Sequence, residues 1–256
     1  ERTGLFLRGL LQGGKPSTRR AVGFGARGES APAHKIDLPP TVLDADALNL
    51  LAAQEGWWEY APAETVVTPH PGEMARLMGS TIEEVQADRL GVARAQAAKW
   101  GVTVLLKGAY TVVAAPDGRA TIVPYANALL ASAGAGDVLA GAVVGLLAQG
   151  LSAYDAAVCG AYLHALAGAL RREEIGSAGL LASDLLPLLP QALRAVRGGC
   201  SRIRFTHHRD HGGGSGVVDG AIRLEDRPPA LIDRLLVDEV PLIHLIDEPL
   251  IGSELS

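Results

Sequence analysis

The stretch TVVTPHPGEMARLMGSTIEEVQADRLGVARAQAAKWGVTVLL, Thr65 to Leu106, decides the fold. It opens on Thr65-Val66-Val67-Thr68, a β-branched run halted by Pro69 and Pro71. A short apolar run bounded by prolines reads as a buried strand. A helical segment follows from Glu73 to Met78. Ser80-Thr81-Ile82-Glu83 has the form of a capping box, so one helix is expected to run on to Trp100. Gly101 to Leu106 is then a further buried strand. Strands alternating with helices in this way place the strands in a largely parallel sheet.

The same rhythm extends in both directions. Upstream, Thr41-Val42-Leu43 reads as a strand ending in Asp44-Ala45-Asp46, and Ala47 to Ala53 as a helical turn. Downstream, Tyr110 to Ala115 and Arg119 to Pro124 flank Pro116-Asp117-Gly118, a turn signal that predicts a hairpin. Gly134-Ala135-Gly136-Asp137 opens an apolar helix to about Gln149. Ser152 caps the next, with Asp155 at the reciprocal position, and that helix should reach Arg172. A last helix covers Ser183 to Arg197, confined or kinked by Pro187 and Pro190. The fold class is α/β: a layered domain with a largely parallel sheet flanked by helices.

Composition narrows the function. The chain has 256 residues, 48% of them apolar and 20% charged, which is globular and not disordered. Aromatics are only 4%, so Ala, Val and Leu must build the core. The net charge of −5 supplies no basic stripe, so nucleic acid is not expected as a partner. No apolar run approaches the length of about 18 residues that a membrane span needs, so no span is expected, and Glu1-Arg2-Thr3-Gly4 reads without a signal-peptide h-region. Cys159 and Cys200 make no CxxC pair, and a reducing, cytoplasmic setting fits best.

Residues 1–197 are expected to hold the layered domain, with a short helix over 2–12 and a Gly/Ser/Arg/Pro-rich solvated loop over 13–39. Residues 198–216, which include His207, His208 and His211 among glycines, read as a linker. Residues 217–256 are an acidic, Leu/Ile-rich appendage of unassigned role, with one helix expected near Pro229 to Val237.

Four clusters could carry chemistry, and the first three below fall at carboxyl ends of expected strands, where open α/β sheets bind ligands. Asp44 and Asp46 could share a cation, or one of them could cap the following helix. Thr68 to Glu73, TPHPGE, fixes His70 between two prolines on a rigid loop, and Glu73 could hold magnesium through water. Lys107-Gly108 lets backbone and amine approach a phosphate. Ser132 to Gly141, SAGAGDVLAG, places glycines and amides at a helix N-terminus, a natural seat for a phosphoryl group. Asp137 there could act as base toward a hydroxyl that attacks phosphorus, or could be an ordinary first-turn acid. His164 and Cys159, in an apolar helix, read as satisfied core residues.

In combination, VLDADALNLLA, VVTPHPGEMARLMG, LLKGAYTVVAAPDG and ASAGAGDVLAGAVVGLLAQGL closely resemble the ADP/ATP-dependent NAD(P)H-hydrate dehydratase family, a ribokinase-like fold found as the C-terminal domain of bifunctional nicotinamide nucleotide repair enzymes. The opening ERTGLFLRGLL looks like the helix after that family's GPGLG segment, so the chain is expected to lack the family's N-terminal portion. The resemblance implies dehydration of hydrated NADH or NADPH in nicotinamide nucleotide repair, coupled to cleavage of ADP, favoured here, or of ATP, with magnesium. It implies that His70 and Asp137 contact the hydrated cofactor and that Asp137 is the base. It places Lys107, Gly108, Ala109, Tyr110 and Thr111 along the adenine nucleotide, and Gly134, Ala135 and Gly136 at its transferring phosphoryl group. Two positions depart from the family pattern: Ala135 stands where Thr or Ser is usual, and Asn127-Ala128 where Asn-Pro is usual. The partners implied are small molecules, with self-association left open. Two other readings compete: a kinase of the same fold acting on a vitamin precursor alcohol, against which TPHPGE speaks, and a non-catalytic nucleotide-binding fragment.

Overall fold

The computed structural model describes residues 38–197 and the backbone of 243–245. The expected helix over 2–12, the linker and most of the appendage lie outside these residues. Strands β1 (Thr41–Leu43), β2 (Thr65–Val67) and β3 (Thr103–Leu106) run parallel. The hairpin β4 (Val112–Ala114) and β5 (Ala120–Ile122) continues the sheet antiparallel from β3. β6 (Ile243–Leu245) pairs antiparallel with β5, giving the order β1-β2-β3-β4-β5-β6. The sheet is therefore mixed: crossover helices make its first half parallel, and the tight turn at Pro116-Asp117-Gly118 obliges the next pair to be antiparallel.

The strands are apolar without alternation because both faces are covered. Val66, Leu105 and Val113 point to one face, where they meet α5 (Ala135–Leu147), α6 (Ala153–Ile175) and α8 (Leu189–Arg197). Val67, Val104, Leu106 and Val112 point to the other. There they meet α1 (Asp46–Ala52), α2 (Pro71–Met78), α3 (Ile82–Ala87) and α4 (Arg89–Trp100). This two-residue alternation is what a pleated strand imposes. α6 is buried almost throughout from Ala153 to Gly168, so its own sequence shows little polar face.

The helix expected from Ser80 to Trp100 is two helices. Thr81, one residue later than expected, is the first cap: its hydroxyl accepts from Glu84 N–H at 3.2 Å, and the Glu84 carboxylate accepts from Thr81 N–H at 3.1 Å. At Asp88 the backbone leaves the helix (φ −146°), and its carboxylate caps α4 by accepting from Gly91 N–H at 2.8 Å. Asp favours this role over a helix interior. The last expected helix is likewise divided, into α7 (Ala182–Leu185), a 3-10 turn at Leu186–Leu188 and α8. Its prolines account for the division.

Candidate functional site

Because β1, β2 and β3 are parallel neighbours, their carboxyl ends lie along one edge. β1 delivers Asp44 there, β2 delivers Thr68-Pro69-His70, and β3 delivers Lys107. Backbone bonds lock the three exits together: Thr68 N–H donates to Leu43 O at 3.1 Å, and Lys107 N–H to Pro69 O at 2.8 Å. Lys107 Nζ then lies 2.7 Å from Asp44 Oδ1 and 3.6 Å from Glu73 Oε2. Asp46 takes no part; it is the exposed first residue of α1. The sequence left Asp44 and Asp46 as equals, and the structure separates them.

TPHPGE is built as a helix start. His70 is the N-cap of α2 with Pro71 following it. Its Nδ1 accepts from Gly72 N–H at 3.0 Å and from Glu73 N–H at 3.2 Å. Glu73 Oε2 reciprocates by accepting from His70 N–H at 2.8 Å. This is a capping box with His in the place of Ser or Thr. It fixes the tautomer, because an accepting Nδ1 leaves Nε2 as the ring nitrogen that carries hydrogen. The imidazole is half exposed at 49%, while Glu73 is buried.

On the opposite side, the glycine loop ends at Gly134, whose φ of +83° is left-handed. A β carbon there would lie 3.0 Å from Ala182 Cβ, so both conformation and space call for glycine. Ala135 N–H donates to Ser132 O at 3.1 Å. Gly136 and Asp137 follow in the first turn of α5, where a helix supplies no acceptor for its own N–H groups. Gly136 faces the carboxylate-lysine cluster: a methyl on it would lie 3.7 Å from Lys107 Nζ and 3.8 Å from Asp44 Oδ2. Asp137 is exposed at the helix start. His164 on α6 supports the loop from beneath, with Nε2 2.9 Å from Ala135 O. Burial pushes its pKa down to about 4, so the ring is neutral and Nε2–H is the donor.

The Lys107–Thr111 segment closes the third side. Thr111 Oγ1 donates to Gly108 O at 3.0 Å, and Tyr110 N–H to Tyr125 O at 2.8 Å. Among the described residues two non-glycines have positive φ, Ala45 at 51° and Tyr110 at 54°. One adjoins Asp44 and the other lies in this loop, and strained backbone of this kind gathers at ligand sites. The guanidinium of Arg89, which the sequence reading missed, donates to carbonyls of this segment. No periodicity or spacing announces a side chain that reaches backbone so far along the chain.

The arrangement offers amides at a helix N-terminus, an ammonium balanced by two carboxylates, an exposed imidazole and an exposed carboxylate. That set suits an anionic, phosphate-bearing ligand with a hydroxyl to be deprotonated. The family model described as NAD(P)H-hydrate dehydratase matches residues 32–191. The chain belongs to the NAD(P)H-hydrate dehydratase family. It is 48% identical over 155 residues to the bifunctional NAD(P)H-hydrate repair enzyme Nnr of Moorella thermoacetica, a match covering 60% of this chain and 29% of that one. It is 46% identical over 151 residues to the ADP-dependent (S)-NAD(P)H-hydrate dehydratase of Neisseria meningitidis, covering 58% and 51%. Among solved structures, the ADP/ATP-dependent NAD(P)H-hydrate dehydratase of Bacillus subtilis co-crystallised with ATP/Mg2+ is 34% identical with a TM-score of 0.55, covering 62% and 55%. A ribokinase-like superfamily protein of Enterococcus faecalis is 26% identical with a TM-score of 0.51, covering 60% and 52%. The layered α/β fold of this family member is thus ribokinase-like. The match spans 29% of the first of these curated relatives and 51% of the second.

Proposed function

We propose that the chain dehydrates (6S)-NAD(P)H-hydrate to NAD(P)H in nicotinamide nucleotide repair, using ADP in preference to ATP as phosphoryl donor. The observation that carries this reading is the meeting of the glycine loop with Lys107 and Asp44 at the strand ends, beside the His70 cap. Asp137 removes the proton of the C6 hydroxyl as its oxygen attacks the terminal phosphorus of ADP, and AMP leaves. The ring nitrogen then expels phosphate, a proton leaves C5, and the dihydronicotinamide is restored. The abstracted water oxygen ends in inorganic phosphate. With ATP, the nucleotide product is ADP.

Each group has a defined task. The Gly136 and Asp137 amides face the phosphoryl group, and the Ala135 N–H, already bonded to Ser132, shapes the loop. His70 presents Nε2–H to the hydrated cofactor while Nδ1 holds the cap. Lys107 to Thr111 line the adenine nucleotide, with Lys107 nearest the phosphates. Among the described residues no three His, Cys, Asp or Glu form a metal cage. Magnesium brought by the nucleotide's phosphates would keep its waters, with the buried carboxylate of Glu73 reached through water. When bound, the ion offsets phosphate charge. Among the described residues no helix is long and apolar enough to cross a membrane, and a cytoplasmic setting suits the substrates.

The test is isotopic. Hydrated NADH carrying a heavy-oxygen label at the C6 hydroxyl is incubated with the chain, magnesium and unlabelled ADP. Label in inorganic phosphate, formed in step with NADH and AMP, supports the reading. Phosphorylated, undehydrated product instead favours the kinase reading. ADP binding without turnover favours a nucleotide-binding fragment.

A further inference from the structure

Arg89 lies in none of the motifs that define the site, yet its guanidinium is fitted beneath the Lys107–Thr111 segment. It is the first residue of α4, next to the capping Asp88. Nη2 donates to Leu106 O at 3.0 Å and to Lys107 O at 3.2 Å. Nη1 donates to Ala109 O and lies 3.5 Å from Tyr110 O. One planar cation therefore gathers four carbonyls from the end of β3 and the loop after it. Carbonyl oxygens turned to a common point repel one another unless a cation joins them. A rigid fork meets several directions at once, which a lysine ammonium on a flexible stem does not reproduce.

The loop is shaped around this fork. A β carbon at Gly108, where φ is +146°, would lie 2.8 Å from Arg89 Nη2. In a trans peptide the N–H points opposite to the preceding C=O. Turning Lys107 O onto Arg89 therefore turns Gly108 N–H to the far side of the loop. We infer that Arg89 is the positioning residue of the adenine-nucleotide half of the site: it holds Lys107–Thr111 in the shape that receives the nucleotide, without touching the nucleotide itself. This rests on the assignment of that loop to ADP or ATP.

The experiment measures calorimetric binding of ADP with magnesium to the full chain, together with KM for each substrate and the thermal midpoint. Arg89→Met is expected to weaken ADP binding about tenfold or more, and Arg89→Lys by less. KM for the hydrated cofactor should stay within about twofold, since His70 and Asp137 stand on other elements. Gly108→Ala, which pushes the fork away from the opposite side, should give the same nucleotide-selective defect. If Arg89→Met does not fold, Arg89→Lys and Arg89→Gln decide. Folded variants that bind ADP like the parent, or that lose both substrates in equal proportion with the thermal midpoint, overturn the inference. A parent chain that binds neither ADP nor ATP overturns the loop assignment, and the inference with it.

Discussion

The Lys107 ammonium sits 2.7 Å from the Asp44 carboxylate although the strands that carry them are not neighbours: β2 lies between. The pair passes over the carboxyl end of β2, and Glu73 stands 3.6 Å away as a second carboxylate. With side chains 20% and 13% exposed, the pair is partly desolvated, so it is worth more than a surface ion pair. Lys107→Met should cost about 1–3 kcal/mol of stability, because Asp44 is left shielded and unpaired. Asp44→Asn should cost less, since Glu73 remains as counter-charge. Urea denaturation of both single variants and the double variant should give a coupling near or above about 1 kcal/mol. Additive effects would contradict a direct pair.

Asp137 is exposed in the first turn of α5, where its charge suits the helix dipole. Asp137→Asn should therefore shift stability by no more than about 1 kcal/mol. If Asp137 is the proposed base, its loss should reduce kcat by about 10²–10⁴. Steady-state rates beside a thermal melt separate the two readings of this residue. A variant with parental kcat leaves only the first-turn acid.

His70 holds the cap through Nδ1, while its exposed Nε2 lies 3.5 Å from Glu73 Oε1. In His70→Asn the amide oxygen can take over the cap from Nδ1, so the melt should barely move. In His70→Ala the cap is lost, at a cost of about 1 kcal/mol. Both variants lose Nε2–H, and both should raise KM for the hydrated cofactor while leaving KM for ADP unchanged. A rise only in the Ala variant would make His70 a cap and nothing more.

His164 gives the fold a pH dependence. Its folded pKa of about 4 lies below the ordinary 6.5 because burial disfavours the charged ring. The unfolded chain therefore binds the proton more readily. This contribution is complete above pH 6.5 and is lost as pH falls toward 4, on the order of 3 kcal/mol in all. Denaturation midpoints of the parent and of His164→Asn, compared across that range, should converge on acidification. Parallel pH profiles would show that His164 does not supply the slope.

The alternating strands, the hairpin and the glycine-loop helix were legible because each is written locally, in β-branched runs, prolines and caps. Four things were not. The break at Asp88 was hidden because capping and helix continuation compete over one residue, and good helix formers (Ala87, Leu90, Ala93, Arg94) lie on both sides of it. The separation of Asp44 from Asp46 depends on Lys107, which the chain brings close only through two parallel crossovers. Arg89 acts on backbone carbonyls, which carry no side-chain signature at all. The residues of TPHPGE and SAGAGD were marked from sequence, but that His70 is itself the helix cap needed coordinates.

The most direct measurement follows the near-ultraviolet absorbance of dihydronicotinamide when the purified chain meets hydrated NADH, magnesium and ADP, with ATP in a parallel sample. Dehydration by this chain should give a rise that requires nucleotide, is faster with ADP, and disappears in Asp137→Asn. A flat trace with both nucleotides, while an intact dehydratase of the same family restores the signal in the same cuvette, would contradict it.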